Sequence, residues 1–472
     1  MFTVHHLLAD HFRCPELGVE FDWTDGDKSP AGFFRFGDNV TCYGRSSLMP
    51  LAQKAGQPLH DAFDDTRIES SGCTLPFNPA EVIGNLRHER YIGNADSNGN
   101  GHGFHGLIRR AYYGVRPLLP VRVRKHFQRL FLAGRMDTPF PSWPVDRTVD
   151  RLLERLLALS MRAQGLERVP FIWFWPDGRS SAAIMTHDVE MPAGVRFCPA
   201  LMDIDERHGF RSSFQLVPED RYATPEPLIG EMRQRGFEVN VHDLNHDGRL
   251  YWDRKEFLRR AAKINHYARK FGAHGFRAGV LYRNLDWYDA FDFAYDMSVP
   301  NVGHLDPQAG GCCTVMPYFV GRILELPVTA TQDYPLFQIL GEYSIELWIQ
   351  QINLIQDGYG LISFITHPDY LAERRASTTY RALLAYLARL RSEVNLWTAL
   401  PGEVNEWWRA RSRMRLVQRN GAWQIEGPGK ERARIAYASL DGNGVRFTVE
   451  TSADAQGSDA AQFTPSSFQH NA

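Results

Sequence analysis

Cysteine is scarce in this chain, with six among 472 residues, and none of the six sits in a CxxC pair. That excludes a disulfide-framed small scaffold and a cysteine-ligated zinc ribbon, and it makes free thiols in a reducing compartment the expectation. Long apolar runs are missing as well. No window reaches the roughly 18 consecutive apolar residues of a membrane span. The opening MFTVHHLLADHFRCPELGVEFDW lacks the basic-then-apolar order of a signal peptide, so a cytoplasmic location is expected. Nor is one sign of charge in excess, since 53 Lys and Arg face 55 Asp and Glu for a net charge of −2, with no basic stripe. Nucleic acid is therefore not expected as a partner. The densest basic stretch, RVRKHFQRLF at 122–131, carries Val123, Phe127, Leu130 and Phe131 at the spacing of an amphipathic helix with a solvated basic face.

What is present is the material of a globular protein, 43% hydrophobic and 23% charged, in a chain long enough for two or three domains. Residues 1–110 read as a β-rich module (GVEFDW, GFFRFG, NVTCYG) with a long Gly-, Asn-, Asp- and Ser-rich connection. Residues 111–170 read as a helical lead-in, with Asp146 a cap before RTVDRLLERLLALSMRA. From 171 to 412 short β-prone runs alternate with helical spacers: AAIMTH, SSFQLVP, EVNVHD, GFRAGV, FAYDMSV, ILELPVT, LISFITH and NLWTAL. Such alternation means βαβ units and a parallel sheet, and seven or eight units fit a closed or nearly closed barrel, with an open doubly wound sheet as the alternative. Residues 413–450 read as a small β element with a hairpin turn at Asp441-Gly442-Asn443-Gly444, and 451–472 as a disordered polar tail.

The barrel runs end in polar residues that packing does not require. The first ends Thr186-His187-Asp188-Val189-Glu190, the third supplies His242 and His246, the fourth Arg277, and the seventh His367 and Asp369. In a (β/α) barrel these ends meet at one mouth. His242 and His246, at i and i+4, have the spacing of two imidazoles on one metal, and Asp188 and Glu190, two apart, face one side of an extended segment. Two histidines and a carboxylate make a zinc-type shell with a position left for water, whose pKa falls from 15.7 to about 7. A second carboxylate can take the proton, an arginine can hold that carboxylate ionised, and a histidine can protonate a leaving amine. These are the parts for hydrolysing an amide or ester.

The order THDVE, HDLNH, GFRAG, ITHPDY resembles the motifs of the NodB-homology polysaccharide deacetylases, carbohydrate esterase family 4, over roughly residues 180–400. The resemblance implies a distorted (β/α)7 barrel and a divalent metal, usually zinc. It also implies removal of an acyl group, most often N-acetyl, from a sugar or sugar-linked precursor. By the same resemblance Asp188 is the base, Arg277 positions it, His367 is the acid, and Glu190, His242 and His246 bind the metal. Two positions depart from the family. Val189 stands where a second aspartate is usual, so the opposite assignment, Asp188 as ligand and Glu190 as base, stays open. Gly279 stands where a proline is usual. Two other functions fit the same motifs: hydrolysis of another small amide, such as a formamide, and an inactive barrel kept as a carbohydrate-binding or scaffold module. Trp143, Trp173 and Trp175 are expected to pack in the core rather than stack on a sugar.

Overall fold

The computed structural model describes residues 4–24, 30–48, 50–69, 72–92, 138–223 and 226–450. The basic helix expected at 122–131, the Gly-rich connection from 93 onward and the polar tail 451–472 lie outside the described residues.

All eight apolar runs become strands of one sheet: Ala182–Val189, Ser213–Leu216, Glu238–His242, Gly275–Arg277, Tyr295–Asp296, Ile323–Glu325, Leu361–Thr366 and Trp397–Ala399. Their pairings are parallel. A short strand missed in the sequence, Tyr318–Val320, adds an antiparallel edge to Ile323–Glu325. From Ala182 to Glu325 the parallel strands lie side by side in chain order, and Leu361–Thr366 returns to the free side of Ala182–Val189. A doubly wound sheet would reverse its order at a switch point; this one does not. The chain after Ile323–Glu325 runs on to Ala330, whose N–H donates to Ser363 O at 3.1 Å. That contact curls the sheet into a distorted barrel.

The helices between strands form for reasons visible locally. Arg254–Phe271 starts where the Asp253 side chain accepts from Glu256 N–H and stops at Gly272, whose φ of +53° is left-handed. Its buried face, Phe257, Ala261, Ile264, Ala268 and Phe271, follows the 3.6-residue period. Removing Phe257 or Phe271 from water contributes about 1.5–3 kcal/mol each. The sheet is covered on both faces, so all eight residues of Ala182–Val189 are buried. Ala183, Met185 and Val189 pack with Leu201 and Leu384 of the helical layer. Ala182 and Ile184 join a second cluster with Phe34, Trp175 and Leu324.

That second cluster unites the barrel with the described residues before and after it. It includes Leu8 and Phe12 of a helix at Val4–Phe12, within the segment expected to be β-rich, and Leu152, Leu153 and Leu156 of Thr148–Ala163. Leu8 and Phe12 sit at i and i+4, so one helical face buries both. A second helix, Pro79–Arg87, is capped by Asn78, whose side chain accepts from Ala80 and Glu81 N–H. Asp146, expected as the cap of Thr148–Ala163, lies one residue before the cap position held by Arg147, and its Oδ1 receives the backbone N–H of Thr148 at 2.8 Å. Strand Arg168–Ile172 pairs antiparallel with Ile435–Asp441, which turns at 441–444 into Gly444–Val449. Trp173 and Trp175 are buried in this core, while half-buried Trp143 stacks on His304 with centroids 5.8 Å apart. All six cysteines are unpaired, and no helix among the described residues is long and apolar enough to cross a membrane.

Candidate metal and catalytic site

The five-residue polar run that ends the first barrel strand divides by the two-residue period of a strand. Thr186 and Asp188 turn toward Arg277. Its Nη2 donates to Thr186 Oγ1 at 3.0 Å, and its Nη1 reaches both oxygens of Asp188 at 3.3 Å. His187 turns the other way, which corrects the expectation that the whole run faces the mouth. Its Nε2 meets Asp205 at 3.1 Å and its Nδ1 meets Thr366 Oγ1 at 2.7 Å. Ser212 and Tyr380 also donate to Asp205, at 2.6 and 2.7 Å. Val189 is likewise fully buried and packs in the cluster with the helical layer.

Glu190, one step past the strand, meets His242 and His246. Their candidate ligand atoms all lie within 4.8 Å of one another. Glu190 Oε1 is 2.9 Å from His246 Nε2, 3.7 Å from His242 Nε2 and 3.4 Å from His367 Nε2. Burial opposes the charge on Glu190, but the three imidazoles overcome it and hold the carboxyl well below its ordinary range. His242 Nδ1 donates to Arg277 O at 3.1 Å, which fixes the tautomer and turns the Nε2 lone pair to the site. His246 is tied by Arg221, whose Nη2 donates to His246 O at 2.6 Å and lies 3.2 Å from Nδ1. The i, i+4 spacing is met by a tight loop, not a helix, with Asp243 and His246 at left-handed φ of +55° and +53°.

A divalent ion fits this donor set on one direct observation. The Nε2 atoms of His242 and His246 are both buried and make no well-aligned hydrogen bond, although the Glu190 carboxylate faces both, at 3.7 and 2.9 Å. Left dry, two such nitrogens beside a carboxylate are costly; with an ion between them they are ligands.

Two features complete the mouth. His367 follows Leu361–Thr366, and Asp333 receives both its backbone N–H (2.7 Å) and its Nδ1–H (2.6 Å), which leaves Nε2 facing Glu190. Burial disfavours the imidazolium, but the adjacent Asp333 carboxylate outweighs it and raises His367 well above the usual histidine value. Gly279, the departure in the third motif, has a physical cause. A Cβ there would lie 2.4 Å from Asp243 Oδ2 and 3.1 Å from His246 Cδ2. The structure brings together the six residues expected from the sequence, Asp188, Glu190, His242, His246, Arg277 and His367, and sets beside them Asp333 and Arg221, which the sequence reading did not name. Arg221 and Asp333 follow the SSFQLVP and ILELPVT runs, but neither stands at a metal-ligand spacing or in one of the four motifs, so no pattern announced them.

No protein-family model and no curated protein matches the chain. Among solved structures it is similar to a Mycobacterium smegmatis protein assigned as a polysaccharide deacetylase, at 20% identity and a TM-score of 0.42 over 50% of this chain and 93% of that one. It is also similar to PuuE allantoinase, at 12% identity and a TM-score of 0.39 over 50% and 92% of the two chains. A third is a family 4 acetyl xylan esterase from Clostridium thermocellum with a cobalt ion, at 12% identity and a TM-score of 0.33 over 48% and 91%. Each likeness spans about half of this chain at low identity, so the chemistry is read from the residues themselves.

Proposed function

We propose that the protein is a metal-dependent hydrolase that removes an acyl group, most often N-acetyl, from a sugar or sugar-linked precursor. The observation that carries this reading is the convergence of the buried Nε2 atoms of His242 and His246 on the Glu190 carboxylate, with no well-aligned hydrogen bond at either nitrogen. These three residues would hold the ion, zinc being the first candidate for a two-histidine, one-carboxylate set. When bound, the ion supplies a Lewis acid for the acyl carbonyl and a water acidic enough to attack at neutral pH.

The remaining groups divide the proton work. Asp188, held by Arg277 and 3.7 Å from His242 Nε2, accepts the proton of the attacking water. His367, kept charged by Asp333, donates from Nε2 to the leaving nitrogen. The separation of the two carboxylates supports this division over the reverse. Glu190 contacts both metal-binding imidazoles, while Asp188 is paired with the arginine. The unpaired thiols suit a reducing compartment, where nucleotide- or lipid-linked sugars are the acylated substrates at hand.

The test is release of acetate from N-acetylated sugar substrates by the zinc-loaded protein, with formamides run beside them. Hydrolysis lost in Asp188→Asn and His367→Ala is expected. Hydrolysis of neither class would refute the assignment, and formate release alone would move the substrate to another small amide.

A further inference from the structure

The turn after the Arg277 strand is held in a costly shape, and one of the groups that holds it comes from outside the barrel. Val280 and Leu281 have φ of +61° and +52°, left-handed values that a β-branched residue rarely adopts. Three contacts over-determine the turn. Leu281 packs with Val328 and Ile365. Arg283 Nη1 donates back to Leu281 O at 2.8 Å, and Gln308 Oε1 receives Arg283 N–H at 3.1 Å. The rest of the Arg283 guanidinium forms a two-pronged ion pair with Glu89, Nε to Oε2 at 2.7 Å and Nη2 to Oε1, both side chains buried.

Glu89 lies just past helix Pro79–Arg87, itself at a φ of +57°. The same hook sends Tyr91 OH to Gly311 O at 2.7 Å. On its other side the turn touches the metal-binding loop. Gly279 leaves no room for a Cβ beside Asp243 and His246, and Arg277 O receives Asp243 N–H at 2.8 Å and His242 Nδ1–H at 3.1 Å. A shift of the turn therefore moves the backing of both imidazoles.

We infer that Glu89 and Arg283 are positioning residues for the metal site: the N-terminal region clamps the strained 278–283 turn through this ion pair, and the turn sets His242 and His246. This gives the N-terminal region a part in the site, and it rests on the metal reading above. Each half of the clamp has its own substitution. Glu89→Gln keeps the shape and removes the charge. Arg283→Lys keeps the ion pair but cannot also supply the fork and the bond to Leu281 O.

The full-length protein, stripped of metal, is titrated with cobalt(II), and the affinity and the visible d–d absorption are read. Both variants are expected to fold, to bind cobalt about ten- to a hundred-fold more weakly, and to show an altered d–d band. Adding Val280→Gly to Glu89→Gln removes the strain the clamp opposes, since glycine adopts the left-handed turn freely. It should restore most of the affinity. If Glu89→Gln does not fold, Arg283→Lys decides. Wild-type affinity and spectrum in a folded single variant overturn the inference, as does a loss that Val280→Gly does not mend. A wild type that takes no cobalt would instead remove the metal reading, and this inference with it.

Discussion

Replacing Arg277 by methionine tests the electrostatic frame of the barrel mouth. The guanidinium is fully buried and its Nη1 is 3.3 Å from both oxygens of Asp188, itself almost wholly buried. At an effective dielectric of about 20, two unit charges at that distance attract by about 5 kcal/mol. The intact pair adds far less than that to stability, because both charges were taken out of water. Breaking it is another matter, since methionine fills the volume and leaves the carboxylate alone. Metal-free Arg277→Met should therefore lose about 3–5 kcal/mol. Adding Asp188→Asn removes the stranded charge, so the double variant should regain part of the loss, with a coupling of about 2 kcal/mol. Urea unfolding of the metal-stripped protein, followed by tryptophan fluorescence, measures all four corners of the cycle. An Arg277→Met protein within about 1 kcal/mol of the wild type, or a cycle with no coupling, would refute the reasoning.

Asp333→Asn removes the charge that raises His367, so the imidazole should lose its proton at lower pH and the alkaline limb of kcat/KM should move down; an unmoved limb contradicts the acid role. Gly279→Ala drives a methyl group to 2.4 Å from Asp243 Oδ2 and should cost about 1–3 kcal/mol in urea unfolding together with weaker zinc binding, whereas a neutral result would mean the loop relaxes freely. Tyr380→Phe strips one donor from buried Asp205 and should cost about 1–3 kcal/mol while leaving zinc content unchanged, because that network lies on the outer face of the strand; loss of zinc would place it in the site.

The barrel was legible because its signal is local. Each apolar run contained or overlapped its observed strand, with ends that differed by one to four residues, and from Ala182 to Glu325 strand order followed chain order. The residues of the candidate site could be picked out for the same reason, since Asp188, Glu190, His242, Arg277 and His367 each end or closely follow such a run. Local signals also misled. His187 was grouped with its neighbours, although the two-residue period sends it to Asp205 on the opposite face. The rest depended on partners far along the chain. Strand Arg168–Ile172 pairs with Ile435–Asp441, and Glu89 meets Arg283, without any spacing that encodes either match. Asp333 and Arg221 were invisible because a loop carboxylate or guanidinium looks like surface polarity until the fold places it beside an imidazole.

The central claim is that Glu190, His242 and His246 hold a divalent ion. The most direct measurement is the metal content of the purified wild type beside the His242→Ala/His246→Ala double variant, each after incubation with excess zinc and removal of free metal. One zinc per chain in the wild type, lost in a double variant that remains folded, is the result predicted. A wild type that retains no metal, or a double variant that retains it fully, would contradict the claim.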